Sequence, residues 1–207
     1  VNAANEGLWA GGGICGVIHR AAGPQLQEAC LKVAPCETGK AALTEGFKLP
    51  AKYVIHAVGP VGEKPELLKG AYESTLNYVD GEKIRSVGLC CISTGIFGYP
   101  IVKATHIALE TVRTWLENEE NRNKADRIIF VVFEQRDVKV YYKLAHEYFP
   151  LTEEEIAACP PDAEEESQDE DSKEETKAKN LAKSENEKSD KKEKKSQKRQ
   201  EKDAKKA

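Results

Sequence analysis

Two glycine-rich stretches, residues 5–16 (NEGLWAGGGICG) and residues 93–100 (STGIFGYP), hold the residue types best suited to chemistry. Each follows an apolar, strand-like run and leads into an apolar run of helical period. Loops so placed present main-chain N–H groups and a helix N-terminus, a combination that holds phosphate. Glycine lets the main chain approach such a group closely. Neither stretch contains Lys or Arg, so a bound phosphate would be held by backbone dipoles rather than side-chain charge. Gly11, Gly13 and Gly16 spell G-x-G-x-x-G, but the strand before them is only a stub, so a dinucleotide fingerprint lacks its context. The pattern G-x-x-x-x-G-K-[ST] is absent, which excludes a P-loop nucleotide hydrolase.

Cysteine and histidine offer less. Cys15 and His19 stand four apart on an expected helix and could face each other. A packed thiol and a histidine bonded elsewhere is the simpler reading. His56, inside a strand, reads as a satisfied core histidine. No set of His, Cys, Asp and Glu has ligand-like spacing, so no metal and no cofactor are expected. Six cysteines without a C-x-x-C pair or a leading signal peptide fit a reducing, intracellular location, nucleus or cytoplasm. No apolar run approaches the roughly 18 residues that a membrane span needs, so no membrane partner is expected.

The elements that must position these loops follow from periodicity. Apolar helices are expected over residues 14–22 and 25–33, separated by Gly23-Pro24. Strands are expected over residues 41–44, 52–60, 86–93 and 127–134, the last unbroken enough to be buried on both faces. Helices are expected over residues 66–79, from Pro100 onward, and over residues 138–149. Strands alternating with helices give an α/β layered sandwich.

Charge divides the chain in two. After Pro150 come 14 Lys/Arg and 18 Asp/Glu, leaving 17 of each in residues 1–150, from the chain's 31 and 35. Residues 1–150 suit one domain. Being neutral, that domain lacks the basic face a long nucleic acid needs. Residues 151–207 hold no aromatic residue and no apolar period, so a disordered, charged tail is expected. Its basic end (KKEKKSQKRQ) reads as a solvated polyampholyte or as a nuclear-localisation or nucleic-acid patch.

Taken together, NAAN (residues 2–5), GGG, IHRAAGP (18–24), CETGKAALT (36–44), LPAKYVIHAVGP (49–60) and ISTGIFGYP (92–100) resemble MacroD-type macrodomains, in order, over residues 1–149. The resemblance implies a three-layer α/β/α sandwich with a mixed sheet. It also implies ADP-ribose and ADP-ribosylated proteins as partners. The implied activity is hydrolysis of mono-ADP-ribose from acidic side chains and of O-acetyl-ADP-ribose. The alternative is a reader that binds ADP-ribosylated proteins without turnover.

By matching position, Asn5 would hydrogen-bond the distal ribose, and Gly12, Gly13 and Ile14 would approach that ribose and the phosphates. Ser93, Thr94, Gly95, Ile96 and Phe97 would wrap the diphosphate, with Phe97 packing on the distal ribose. Phe133 would stack on adenine or, alternatively, pack in the core.

Two departures stand out. The family begins with strand, helix and strand before NAAN, so Val1 is expected to be the cut edge of a longer chain. As written, the sheet would then show an open apolar face and an unpaired edge, and the chain is expected to be unstable. The family also carries an Asp after GGGV that helps activate water. Cys15 stands there instead, and a thiol is a poor general base for water. Asn5 and Cys15 are therefore the catalytic candidates, with turnover expected to be weakened rather than abolished.

Overall fold

The domain is built around β3 (Tyr53–Ala57), a strand buried along almost its whole length. Its side chains alternate between two cores. Val54, with Val58 just beyond the strand, packs into a cluster with Leu8, Leu26 and Cys30, whereas Ile55 joins Leu76 and Leu89 on the other side. A strand with apolar contacts on both faces needs helices above and below it, and the chain supplies them.

In this computed structural model residues 1–152 are described. The tail expected to be disordered lies, from residue 153 onward, outside them. β1 (Asn2–Ala3) runs parallel to β3, with Asn2 opposite His56. β2 (Ala41–Glu45) pairs antiparallel on the other edge of β3, so this sheet is mixed. β4 (Ser86–Cys90) pairs in parallel with β5 (Arg127–Val131). The Val1 amino group donates to Gly88 O at 2.7 Å, which brings β1 alongside β4.

Helix limits follow from local chemistry. α1 (Gly13–Ala22) stops at Gly23, whose φ of 86° only glycine adopts without strain. α2 (Pro24–Val33) starts on a proline, which is pre-set for the first helical position. It stops where Ala34, preceding Pro35, goes extended. α3 (Pro65–Leu76) buries Leu68, Ala71, Tyr72, Thr75 and Leu76. α4 (Ile101–Glu117) buries Ala104, Ala108, Leu109 and Val112. α5 (Gln135–Tyr148) begins three residues before the expected start.

One expectation is corrected. β5 is not buried on both faces: Ile129 and Val131 are 45% and 52% exposed. Phe130 turns inward to Tyr141 of α5, ring centroids 5.5 Å apart, and Ile128 joins the core with Val87 and Val112. Among the described residues β5 pairs only with β4, and no element covers the face that Ile129 and Val131 present. The run RIIFVV is equally apolar whether one face or two is covered, so composition alone could not separate the cases.

Candidate functional site

The two glycine-rich loops meet at one end of the sheet. A methyl group placed on Gly12 would lie 2.8 Å from Ile96 Cδ1, so the loops touch at that point. Beside the contact lies a cleft of about 410 Å3 whose lining includes Asn5, Glu6, Trp9, Gly59, Val61 and Phe97.

The first loop is held by Asn5. Its Nδ2 donates to Trp9 O at 2.9 Å, and its Oδ1 accepts from Trp9 N at 3.3 Å. This clasp lets Leu8 turn into the core at a positive φ of 53°. The Trp9 ring lies over Gly7, where any side chain would collide with it, and is 62% exposed. Gln27 of α2 supports the loop, accepting from Ala10 N at 2.9 Å. α1 then begins with Gly12 as its N-cap and no side chain capping it. A first helical turn has no intrahelical acceptor for its N–H groups. Gly13 and Ile14 therefore present amides, and the positive end of the helix dipole, next to the second loop.

The second loop is a closed turn. Tyr99 N donates to Ser93 O and Gly98 N to Gly95 O, each at 2.9 Å, and Gly62 N donates to Phe97 O at 2.8 Å. Thr94 Oγ1 donates to Cys91 O at 3.3 Å. The amides of residues 94–97 take no part in these bonds and are free to meet a ligand. Ser93 is buried in the left-handed region at φ 68°, pressed against Gly59, and Ile96 is 80% exposed.

The cleft lining contains no Lys or Arg, and its charged side chain is the acid Glu6. Glu6 accepts from Thr38 N at 3.1 Å and Thr38 Oγ1 at 2.7 Å, bonds that hold its carboxyl below the usual range.

Of the residues singled out from sequence, Asn5 and Phe97 line the cleft. Gly12, Gly13 and Ile14 form the uncapped start of α1, and Gly12 meets Ile96. Ser93, Thr94 and Gly95 build the opposing turn. Phe133 lies beyond the end of β5 and is 95% exposed, so it is not a core residue. Cys15 turns inward, 4% exposed, with Sγ donating to Trp9 O at 3.5 Å and accepting from Asn2 Nδ2 at 3.6 Å. His56 is a core histidine, bonded to Asn2 Nδ2 at 3.1 Å and Thr44 Oγ1 at 2.9 Å. Burial pushes its pKa down to about 4. Sequence reasoning did not single out Trp9, Glu6, Thr38 and Gly59. An exposed Trp between glycines, and a Gly-Pro closing β3 beside the loops, were the available signals.

The sequence model of the Macro domain family matches residues 1–108. The chain belongs to that family. This macro domain is 49% identical to the ADP-ribose glycohydrolase MACROD2 of Mus musculus, across 73% of this chain and 33% of that protein. It is 45% identical to the macro domain-containing protein CT2219 of Chlorobaculum tepidum, covering 69% of this chain and 84% of the relative. The crystal structure of the Trypanosoma brucei macrodomain in complex with ADP-ribose superposes with a TM-score of 0.65 at 46% identity. That match covers 69% of this chain and 60% of the other. The chain thus spans about a third of the length of the mouse relative. With β2, β3 and β1 in one mixed sheet between α1 and α2 on one side and α3 on the other, the macro domain fold is the expected α/β sandwich.

Proposed function

We propose that the cleft binds ADP-ribose and that a water held there releases ADP-ribose from mono-ADP-ribosylated acidic side chains, and acetate from O-acetyl-ADP-ribose. The observation that carries this reading is the uncapped start of α1 facing the 93–97 turn across the Gly12–Ile96 contact. Main-chain donors from two sides suit a diphosphate. Glu6 repels phosphate from its end of the cleft, so the diphosphate belongs at the glycine end and a neutral ribose nearer Asn5 and Phe97.

In the reaction a water oxygen forms a bond to the anomeric carbon of the distal ribose, or to the ester carbonyl, as the ester C–O bond breaks. The water's proton ends on the leaving oxygen or in solvent. Asn5, Gly13, Ile14 and Phe97 orient the ribose, and amides aimed at developing charge supply rate. Cys15 is turned away from the cleft and serves to hold Asn2 and the Trp9 carbonyl. The names of the relatives, glycohydrolases and a macrodomain complexed with ADP-ribose, support the same assignment.

A second reading has one observation in its favour. The lining's titratable base, Glu6, is committed to Thr38, which suits a reader that binds without turnover. Incubation with a protein mono-ADP-ribosylated on glutamate separates the two. Free ADP-ribose in the supernatant is the expected result. Tight binding of the modified protein with no release would leave the reader.

A further inference from the structure

Beneath the N-terminal helix pair, away from the cleft, three buried side chains converge from three elements. His19 of α1, Cys30 of α2 and His56 of β3 each offer a ligand atom, all within 4.8 Å of one another. The geometry points to a buried site for a single zinc-class cation, held by a ring nitrogen of His19, the Cys30 thiolate and Nε2 of His56. This departs from the expectation drawn from sequence spacing.

The distances fit such an ion. Cys30 Sγ lies 3.7 Å from His56 Nε2. Tetrahedral zinc, with bonds of ~2.3 Å to sulfur and ~2.05 Å to nitrogen, sets those two atoms ~3.6 Å apart. His19 and His56 meet edge-on with ring centroids 6.3 Å apart, so their nitrogens approach without the rings stacking. His19 Nε2 is buried and makes no hydrogen bond, a condition that costs free energy unless a partner is supplied.

The surroundings complete a metal-type arrangement. A ligating histidine usually gives its other ring N–H to an acceptor, which fixes the tautomer. Asn2 stands at that place: its amide nitrogen is 3.1 Å from His56 Nδ1, while its Oδ1 is buried without a partner. With the amide turned over, Oδ1 would accept from His56 Nδ1–H and leave Nε2 as a lone pair, in exchange for the Asn2 bond to Cys15 Sγ. Thr44 Oγ1, 2.9 Å from Nε2, is placed for the fourth position or to bond a water there. Two imidazoles and one thiolate select a borderline-soft d10 ion over Mg2+ or Ca2+, which need oxygen ligands. On binding, the Cys30 S–H bond is replaced by S–Zn and the proton leaves to solvent. Because Cys30 and His56 are fully buried, loading accompanies folding.

The test is refolding of the full chain with one equivalent of Zn2+ or Co2+, and with Mg2+ as control. Elemental analysis after gel filtration, thermal melting and the Co2+ absorption spectrum are the readouts. Expected results are one zinc per chain, a raised Tm with Zn2+ but not Mg2+, and a thiolate-to-cobalt charge-transfer band. Cys30→Ala should abolish the band and cut zinc affinity at least tenfold, while Cys90→Ala keeps both. If Cys30→Ala does not fold, His19→Gln supplies the comparison, since its loss of zinc with a cooperative melt supports the same site. Absence of zinc after refolding, or a band and stoichiometry unchanged in Cys30→Ala and His19→Gln, overturns the proposal.

Discussion

Gly12 and Ile96 touch, joining the uncapped start of α1 to the 93–97 turn. The partner atom is the tip of a side chain that is 80% exposed, so it can swing aside. Gly12→Val should therefore cost folding stability no more than ~1 kcal/mol, the N-cap preference for glycine over valine. It should still weaken ADP-ribose binding by at least ~1.4 kcal/mol, a factor of ten, because the main chain can no longer approach the phosphates. Urea melts and calorimetric titration of the same preparation read the two effects separately.

Gly59 has the opposite character. A side chain there collides with Ser93 Oγ and with Ile92, which is fully buried. Gly59→Ala should cost ~1–3 kcal/mol by overpacking. Ser93 already sits at φ 68°, so Ser93→Gly removes the Oγ clash and the backbone strain and leaves only the clash with Ile92. The double variant should be more stable than the sum of the single effects predicts, and additive values in denaturant melts would contradict this contact.

Asn5 clasps Trp9 from both sides, so Asn5→Ala removes two hydrogen bonds at once. A loss of ~1–2 kcal/mol is expected, at ~1 kcal/mol for a typical bond. The Trp9 ring should move off Gly7, changing its fluorescence, and ADP-ribose release should fall with it. Unchanged fluorescence together with unchanged turnover would remove Asn5 from the site.

Cys15 stands where an acid would be the stronger base, but its thiol faces the interior. Cys15→Ala should keep turnover within about threefold of the parent, or ~0.7 kcal/mol in transition-state terms. Retained binding with turnover lost would put the thiol back in the chemistry.

Asp137 is buried in the first turn of α5, and burial raises its pKa although Arg136 Nε lies 3.2 Å away. The folded state then holds its proton more tightly than the unfolded state does. Stability from this group is full below the ordinary carboxylate range and is lost as pH rises through the raised value. Asp137→Asn should accordingly be more stable than the parent at pH 7, with the gap closing in acid. A gap that widens in acid would mean that the Arg136 contact dominates.

The loops were legible because glycine between strand and helix has a physical purpose that shows in the sequence. β3 was legible too, since its β-branched run ends in Gly59-Pro60. β5 was not: whether Ile129 and Val131 are covered depends on a neighbour elsewhere in the chain. His19, Cys30 and His56 come from α1, α2 and β3, and no local spacing signals that they meet. Trp9 as a cleft wall and the inward turn of Cys15 both depend on the Asn5 clasp, a tertiary detail that the residue types do not encode.

The central claim is that backbone amides at the start of α1 and in the 93–97 turn hold a diphosphate without help from basic side chains. Isothermal titration calorimetry of the intact chain with ADP-ribose tests it most directly. A single saturable site, weakened at least tenfold in Gly12→Val while the variant still melts cooperatively, is the predicted result. A well-folded parent that gives no heat with ADP-ribose would contradict the account.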